Sequence, residues 1–368
     1  MKITNLELVG FRNYEKESLS FSPGVNIIIG NNGEGKTNIL EAIYILSLSR
    51  SYKAKEEDII KTNADFYKIT ASVSHKTREN TLTLISSKQG KKILKDNIPI
   101  KKISEFVGNL NIVLFSPEDL LLFKNGPAER RELMDMSLLQ LSKKYIDDYS
   151  QFKKKLKTRN ECLKVLYSKI KEDPTYKDEM LDVFTEMFID ANKKIYDARK
   201  EFLKKLEEKT APIYKDLSGT DEKIKFEYIV NFKNTKEFFD EKTLPDIYNG
   251  TTQHGCHRDD IKFTRDGMDF EGSASQGQQR MLALSIKLAL SEMINETKGE
   301  TPVILLDDVF SELDSYHQNR LLSVLDKSMQ IVITTTDLDK IDKKVIEEAL
   351  VLKIDNGHAI KEQVWQKN

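Results

Sequence analysis

The sequence predicts an α/β fold: a mixed-sheet head that carries a phosphate-binding loop and is split by an α-helical insertion. Three observations carry this. The last hundred residues alternate helix and strand, with "PVILLDD" and "QIVITTT" as short buried runs between helical stretches. The first hundred residues read as strands around one helix. From about Pro127 to Thr210 no strand pattern exists at all. The expected domains are therefore a head made of 1–124 and 245–368 and a helical arm made of 125–244.

Taken in order, "KITNLELVGF" alternates apolar and polar residues with period two, as a half-buried strand does. "GVNIIIG" is a buried strand ending in glycine, and "TNILEAIYILSLS" places apolar residues at helical spacing. "YKITASVSH", "NTLTLISS" and "KKILKDNIPIKK" form an antiparallel set with "SKQG" and "KDN" as turns. In the insertion, Tyr145, Tyr149, Phe152, Leu156, Leu163, Leu166 and Ile170 follow a three-four spacing that breaks at Arg159. Past a turn at Pro174, the residues Met180, Phe184, Met187, Ala191, Ile195, Ala198 and Phe202 repeat it. This is a helical hairpin, an antiparallel coiled pair whose N-terminal arm admits division into two helices. A helix is expected after Gln279, and another after Asp314, capped by Ser311 or Asp314.

Bulk properties exclude several classes. The 368 residues carry 58 Lys and Arg against 59 Asp and Glu, so no global basic field marks a nucleic-acid or membrane binder. The two cysteines, Cys162 and Cys256, do not suggest a disulfide framework. No apolar run approaches the ~20 residues of a membrane helix, and the first residues lack the apolar core of a signal peptide. A cytoplasmic protein is expected.

The chemistry starts at "GNNGEGKT", which fits G-x-x-x-x-G-K-[ST] between a strand and a helix. Gly30, Gly33 and Gly35 permit a backbone in which successive N–H groups converge on phosphate oxygens, and the helix N-terminus adds its dipole. Asn31, Asn32, Glu34 and Asn38 complete the nucleotide-contacting stretch. Lys36 is expected on the β- and γ-phosphates and Thr37 on Mg²⁺. "VILLDDVFSELD" supplies acids at a strand end: Asp307 as a second Mg²⁺-directed carboxylate, and Asp308 as the base that polarises an attacking water. The loop "SASQGQQRM" offers the Ser275 hydroxyl, Gly277 and Gln278 ahead of a helix. Because one nucleotide already has its ligands, this loop is expected to grip the ATP of a second copy across a twofold axis. Asp308, Lys36 and Ser275 form the expected catalytic set.

Lysines are dense from Lys143 to Lys171, including Lys153, Lys154, Lys155 and Lys157, and the hairpin near residue 90 adds Lys91 and Lys92. Phosphate-backbone contact with duplex DNA or a single-/double-strand junction is the expected use. In "HGCHRDD", His254, Cys256 and His257 lie too close in sequence to converge tetrahedrally on zinc. Structural histidines and a buried loop arginine are expected there.

The order of these motifs resembles the ABC-type ATPase heads of the SMC and RecF group, and the RecF family most closely. "LELVGFRNYE", "IIIGNNGEGKTNILEAIYILSLSRSYK", "VLFSPEDLLLFKNGPAERRELMD", "HGCHRDD", "SQGQQR" and "LLDDVFSELD" carry the likeness over nearly the whole chain. The resemblance implies an ATP-dependent DNA-binding dimer with a weak, DNA-stimulated ATPase. Such a protein acts in recombinational and replication-gap repair, helping RecO- and RecR-type partners load a recombinase. It also implies that Arg12 reaches nucleotide and that ATP and Mg²⁺ are the cofactors. Gln276 stands where the usual signature has glycine, and Cys256 where proline is usual. Glu118 is the substitute for a Mg²⁺-sensing glutamine, and Thr335 takes the switch position. The alternative is the motor subunit of an ABC transporter without DNA binding, which shares the ATP motifs but needs neither the arm nor the lysine clusters.

Overall fold

The apolar runs assemble into the centre of the first of two units in the chain's computed structural model, which describes all residues except 173–178, 314, 326–327, 356 and 363–368. This unit comprises Met1–Leu120, Pro212–Asp221 and Gln276–Asn368. Its main sheet runs in the order His358–Glu362, Leu350–Asp355, Val25–Ile29, Ile331–Thr335, Val303–Asp307, Ile112–Phe115. All neighbours are parallel except the edge hairpin that joins Leu350–Asp355 to His358–Glu362. Every residue of Val303–Asp307 and Ile331–Thr335 is buried, which is why these strands read as unbroken apolar runs.

The helix Lys36–Leu48 follows the strand Val25–Ile29, and all of its residues except Thr37 and Asn38 are buried. The strands of the N-terminal part form a second, antiparallel sheet in the order Tyr14–Ser20, Lys2–Phe11, Phe66–Ser74, Glu79–Ser87, Gly90–Lys95, Ile98–Pro99. The strand Phe66–Ser74 shows the expected alternation of buried and less buried residues. Gln330 staples the two sheets: its amide accepts from Ile3 N at 2.7 Å and donates to Ile3 O at 2.7 Å and Ser22 O at 2.8 Å.

The second unit, Leu121–Ala211 and Glu222–Ser275, is built on the helices Pro127–Leu141 and Lys143–Glu172 and on the helix Glu179–Ser218 as far as Ala211. The N-terminal arm is thus two helices. The turn expected at Pro174 lies outside the described residues. Phe152 packs on Phe188 and Arg159 bonds to Thr185, which sets the two long helices antiparallel. The unit extends to Ser275 rather than ending at 244, because the strand Ile224–Ile229 pairs with Asp260–Arg265 and because Asp246 and Asp259, beyond that boundary, bind helix arginines. Arg199 is 1% exposed and bonds to Asp135 Oδ1 (2.7 Å), Asp259 Oδ2 (2.7 Å) and Cys256 O (2.6 Å). Tyr145 donates to Asp135, and Tyr228 to Asp259. Burial raises the Asp259 carboxyl, against the opposing pull of Arg199.

Arg159, where the apolar spacing breaks, is fully buried and bonds to Asp246 at 2.8 Å and Thr252 at 2.6 Å. It fills a core position with an ion pair instead of a hydrocarbon. The same effect shifts the register on the second arm helix. Met180 and Met187 are 53% and 44% exposed, and the buried line is Leu181, Thr185, Phe188, Asn192, Ile195, Arg199, Phe202 and Leu206. Counting only apolar residues skips three polar members of that line. In "HGCHRDD", Arg258 is exposed, correcting the expected buried arginine, while Asp259 is buried and His257 bonds the Thr252 carbonyl at 2.8 Å. Burial lowers the His257 imidazole to about 4. No helix among the described residues is long and apolar enough to cross a membrane.

Removing one member of a buried charge network strands the others in a low dielectric. Arg199→Met is expected to destabilise the second unit by about 3–5 kcal/mol, read as a shift in the urea unfolding midpoint. Adding Asp259→Asn to that variant should recover part of the loss.

Candidate functional site

Strands of a parallel sheet deliver their C-terminal ends to one edge, the usual place for a ligand in α/β folds. Here Val25–Ile29, Ile331–Thr335 and Val303–Asp307 are neighbours, with Thr334 opposite Asp307 in register. Gly33 and Gly35 have φ of 85° and 109°, and Gly35 is the N-cap of the helix Lys36–Leu48. A Cβ on Gly35 would lie 2.5 Å from Asn13 Nδ2 and 2.8 Å from the Tyr14 hydroxyl. One on Gly30 would lie 2.6 Å from Ile354 O. Only glycine fits these two positions, and the loop's shape follows from that.

Around this cradle, Asn13 Nδ2 donates to Glu34 O, Tyr14 OH to Gly35 O, and Asn38 Nδ2 to Asn13 Oδ1. Lys36 Nζ donates to Gly30 O and Asn31 O, both at 2.8 Å, so its ammonium sits inside the loop. Burial lowers the Lys36 pKa, while Asp308, Glu34 and Asp307 oppose that shift. Glu34 accepts from Asn31 Nδ2 at 2.8 Å and Asn31 N at 2.7 Å, which holds its carboxyl below the usual range. Asn32 is exposed.

Asp307 joins the two halves of the head. Its Oδ1 accepts from Thr37 Oγ1 at 2.7 Å and from Thr334 Oγ1 at 2.9 Å. Its Oδ2 faces Lys53 Nζ at 3.3 Å and the Tyr52 hydroxyl at 3.4 Å. Asp308 adopts a left-handed backbone (φ 52°), its N–H donates to Thr334 Oγ1 at 3.0 Å, and its Oδ1 is buried with no hydrogen-bond partner among the described residues. A buried, unsatisfied acceptor next to Lys36 and Asp307 is costly unless something polar approaches it. The glycine cradle, desolvated lysine and hydroxyl–carboxylate pair suit a Mg²⁺-bound triphosphate, with Thr37 and Asp307 as the metal's oxygen donors.

Several expected site residues stand elsewhere or do other work. The strand's alternation turns Thr334, not Thr335, onto the acidic pair; the Thr335 hydroxyl donates to Asp337 O instead. The Arg12 guanidinium is clamped by Glu41, with Nε to Oε2 at 2.8 Å and Nη2 to Oε1 at 2.7 Å, and that pairing raises its pKa. Glu118 is exposed in the short helix Pro117–Leu120, and with Asp307 and Glu41 it reinforces the rise that burial imposes on the Tyr52 hydroxyl. The Ser311 hydroxyl donates to Asp308 O, so it shapes the turn after the acids; Asp314 lies outside the described residues. The signature helix begins at Gln276, three residues before Gln279, which puts Gly277 and Gln278 in its first turn and exposed Ser275 just ahead of it.

Sequence reasoning missed Tyr52, Lys53, Glu41 and Thr334. A signal for one of them existed: Glu41 is a lone acid in an apolar helix, and a fully buried acid requires a partner. Of the lysines, Lys91 pairs with Glu56 and donates to Ser49 O, Lys155 pairs with Asp190 at 3.7 Å, and Lys157 with Glu161 at 3.8 Å. Lys153 lies 5.1 Å from the Tyr149 ring centroid. Among the described residues, Lys92, Lys153 and Lys154 are exposed without an ion pair.

The profile of the family described as "RecF/RecN/SMC N terminal domain" matches residues 2–357. A "DNA replication and repair protein RecF" from Geobacillus sp. (strain WCH70) is 40% identical over 97% of this chain and 98% of that protein. The chain belongs to the RecF family. A solved structure described as the recombination mediator protein RecF with ATP in the RecFOR pathway is 31% identical, with a TM-score of 0.89 over 98% of this chain and 97% of the other. A solved Smc head bound to the C-winged helix domain of ScpA is 18% identical with a TM-score of 0.54, covering 98% of each chain, and shares the head fold. The family membership accounts for a P-loop head with an inserted helical arm.

Proposed function

We propose that this chain is an ATP-binding and ATP-hydrolysing protein of DNA replication and repair. The observation that carries the reading is the Thr37–Asp307 bond at 2.7 Å, which brings a P-loop hydroxyl and a strand-end carboxylate together where a Mg²⁺–triphosphate is held in such folds. Relatives named for replication and repair, and the similarity to an ATP-bound RecF, support it. Lys36 binds the β- and γ-phosphates, drawn out of its loop carbonyls. Mg²⁺, when bound, supplies positive charge against the phosphates. Asp308 polarises the attacking water through its buried Oδ1, and Thr334 fixes the Asp308 backbone. The ATPase is slow and stimulated by DNA.

In the same reading, two copies close around two ATP molecules, each offering Ser275, Gly277 and Gln278 to the other's nucleotide. The dimer binds duplex DNA or a single-/double-strand junction through Lys92, Lys153 and Lys154, with Lys91, Lys155 and Lys157 flanking, and works in the cytoplasm. It assists RecO- and RecR-type partners in loading a recombinase. Family membership favours this over the transporter-motor alternative.

Three outcomes test these parts. Asp308→Asn keeps ATP affinity and slows turnover by about 10²–10⁴-fold; normal hydrolysis places the base elsewhere. Ser275→Arg abolishes the doubling of mass that ATP and Mg²⁺ produce in light scattering; an unchanged dimer removes the loop's role across the axis. Lys153→Glu with Lys154→Glu weakens duplex binding and flattens the dependence of affinity on salt by about one to two units of slope; unaltered binding assigns the arm to protein partners.

A further inference from the structure

Both oxygens of the Asp307 carboxylate are engaged, and the pairing is asymmetric. Oδ1 is held by two neutral hydroxyls, those of Thr37 and Thr334, whereas Oδ2 faces a full positive charge on Lys53. The lysine is held in place by its own segment. The helix Lys36–Leu48 ends in a left-handed cap at Ser49. The Ser51 hydroxyl then donates to Glu41 Oε1 and accepts from Lys53 N at 2.9 Å and Ala54 N at 3.1 Å. Glu41 is in turn gripped by Arg12, whose Nη1 also reaches Asp58 O at 3.0 Å. Tyr52 closes the other side, with its hydroxyl on the same Asp307 oxygen and its ring centroid 5.2 Å from the Lys53 ammonium. Four side chains thus aim one cation at one carboxylate oxygen.

Under the proposed function that carboxylate belongs to Mg²⁺, and a lysine and a divalent ion compete for the same charge. We propose that Lys53 is a built-in counter-cation for Asp307, which neutralises the carboxylate for nucleotide that arrives without metal and yields it to Mg²⁺. The inference rests on the ATP reading of the site. Its physical content is electrostatic. With Lys53 in place, a metal-free triphosphate approaching Lys36 meets two acids without a counter-cation, Asp308 and Glu34; without Lys53 it meets three. Once Mg²⁺ holds Asp307, the lysine's charge is no longer needed there. Lys53 therefore sets how strongly nucleotide binding depends on the metal. It is a positioning residue, acting through Asp307.

The test is calorimetric titration of ATP into the full chain, once with EDTA and once with excess Mg²⁺, for wild type, Lys53→Met and Lys53→Arg. Lys53→Met should lower the metal-free affinity on the order of tenfold and leave the affinity for Mg²⁺–ATP the same or tighter, so that the ratio of the two widens. Lys53→Arg should restore the wild-type ratio. Equal losses with and without metal would make Lys53 a phosphate ligand or a support of the fold, and would overturn the proposal. Wild-type affinities in both conditions would do the same by showing that the ion pair has no effect. Failure of the wild type to bind ATP in either condition would instead defeat the ATP reading, and this inference with it.

Discussion

One carboxylate ties the head together. Asp307 is bonded to Thr37, 270 residues away in sequence, to Thr334 on the adjacent strand, and to Lys53 in the turn after the P-loop helix. A fully buried strand can end in an acid only where donors meet it, because an unpaired buried charge costs several kcal/mol. The sequence meets that demand from three separate segments. The geometry of the phosphate cradle is therefore linked to the sheet through an electrostatic requirement as well as through hydrocarbon packing.

The second unit uses the same device for a structural purpose. Arg159 and Arg199 occupy core-facing turns of the two long helices and bind Asp246, in the short helix Thr243–Asn249, and Asp259, in a loop. These pairs bring residues beyond the long helices into one body with them. A hydrophobic core accepts one apolar side chain in place of another of similar volume; a network of named donors and acceptors does not.

This contrast explains what was legible in the sequence. The P-loop, the Asp307–Asp308 strand and the antiparallel N-terminal strands are local patterns, in which motif and element coincide within a few residues, and they were readable. The buried face of the first long helix was readable, with Tyr145, Phe152, Leu163 and Leu166 all buried, but that of the second was read only in part, because Thr185, Asn192 and Arg199 do work that periodicity assigns to apolar residues. Lys53 and Tyr52 were invisible as site residues, since what makes them so is a partner more than 250 residues away. Thr334 was missed in favour of Thr335 for a simpler reason: in a strand, neighbouring side chains point to opposite faces, and the run "TTT" does not announce which one faces the acids.

The order of strands in the main sheet also bears on how the chain is made. Val25–Ile29 lies between Ile331–Thr335 and Leu350–Asp355, partners synthesised about three hundred residues later. At a translation rate of roughly 5–20 residues per second, the P-loop strand waits on the order of 15–60 s for its neighbours. The intervening unit, with its mostly local helical contacts, emerges complete in that interval. The nascent head thus remains an unfinished sheet until the final strands are released.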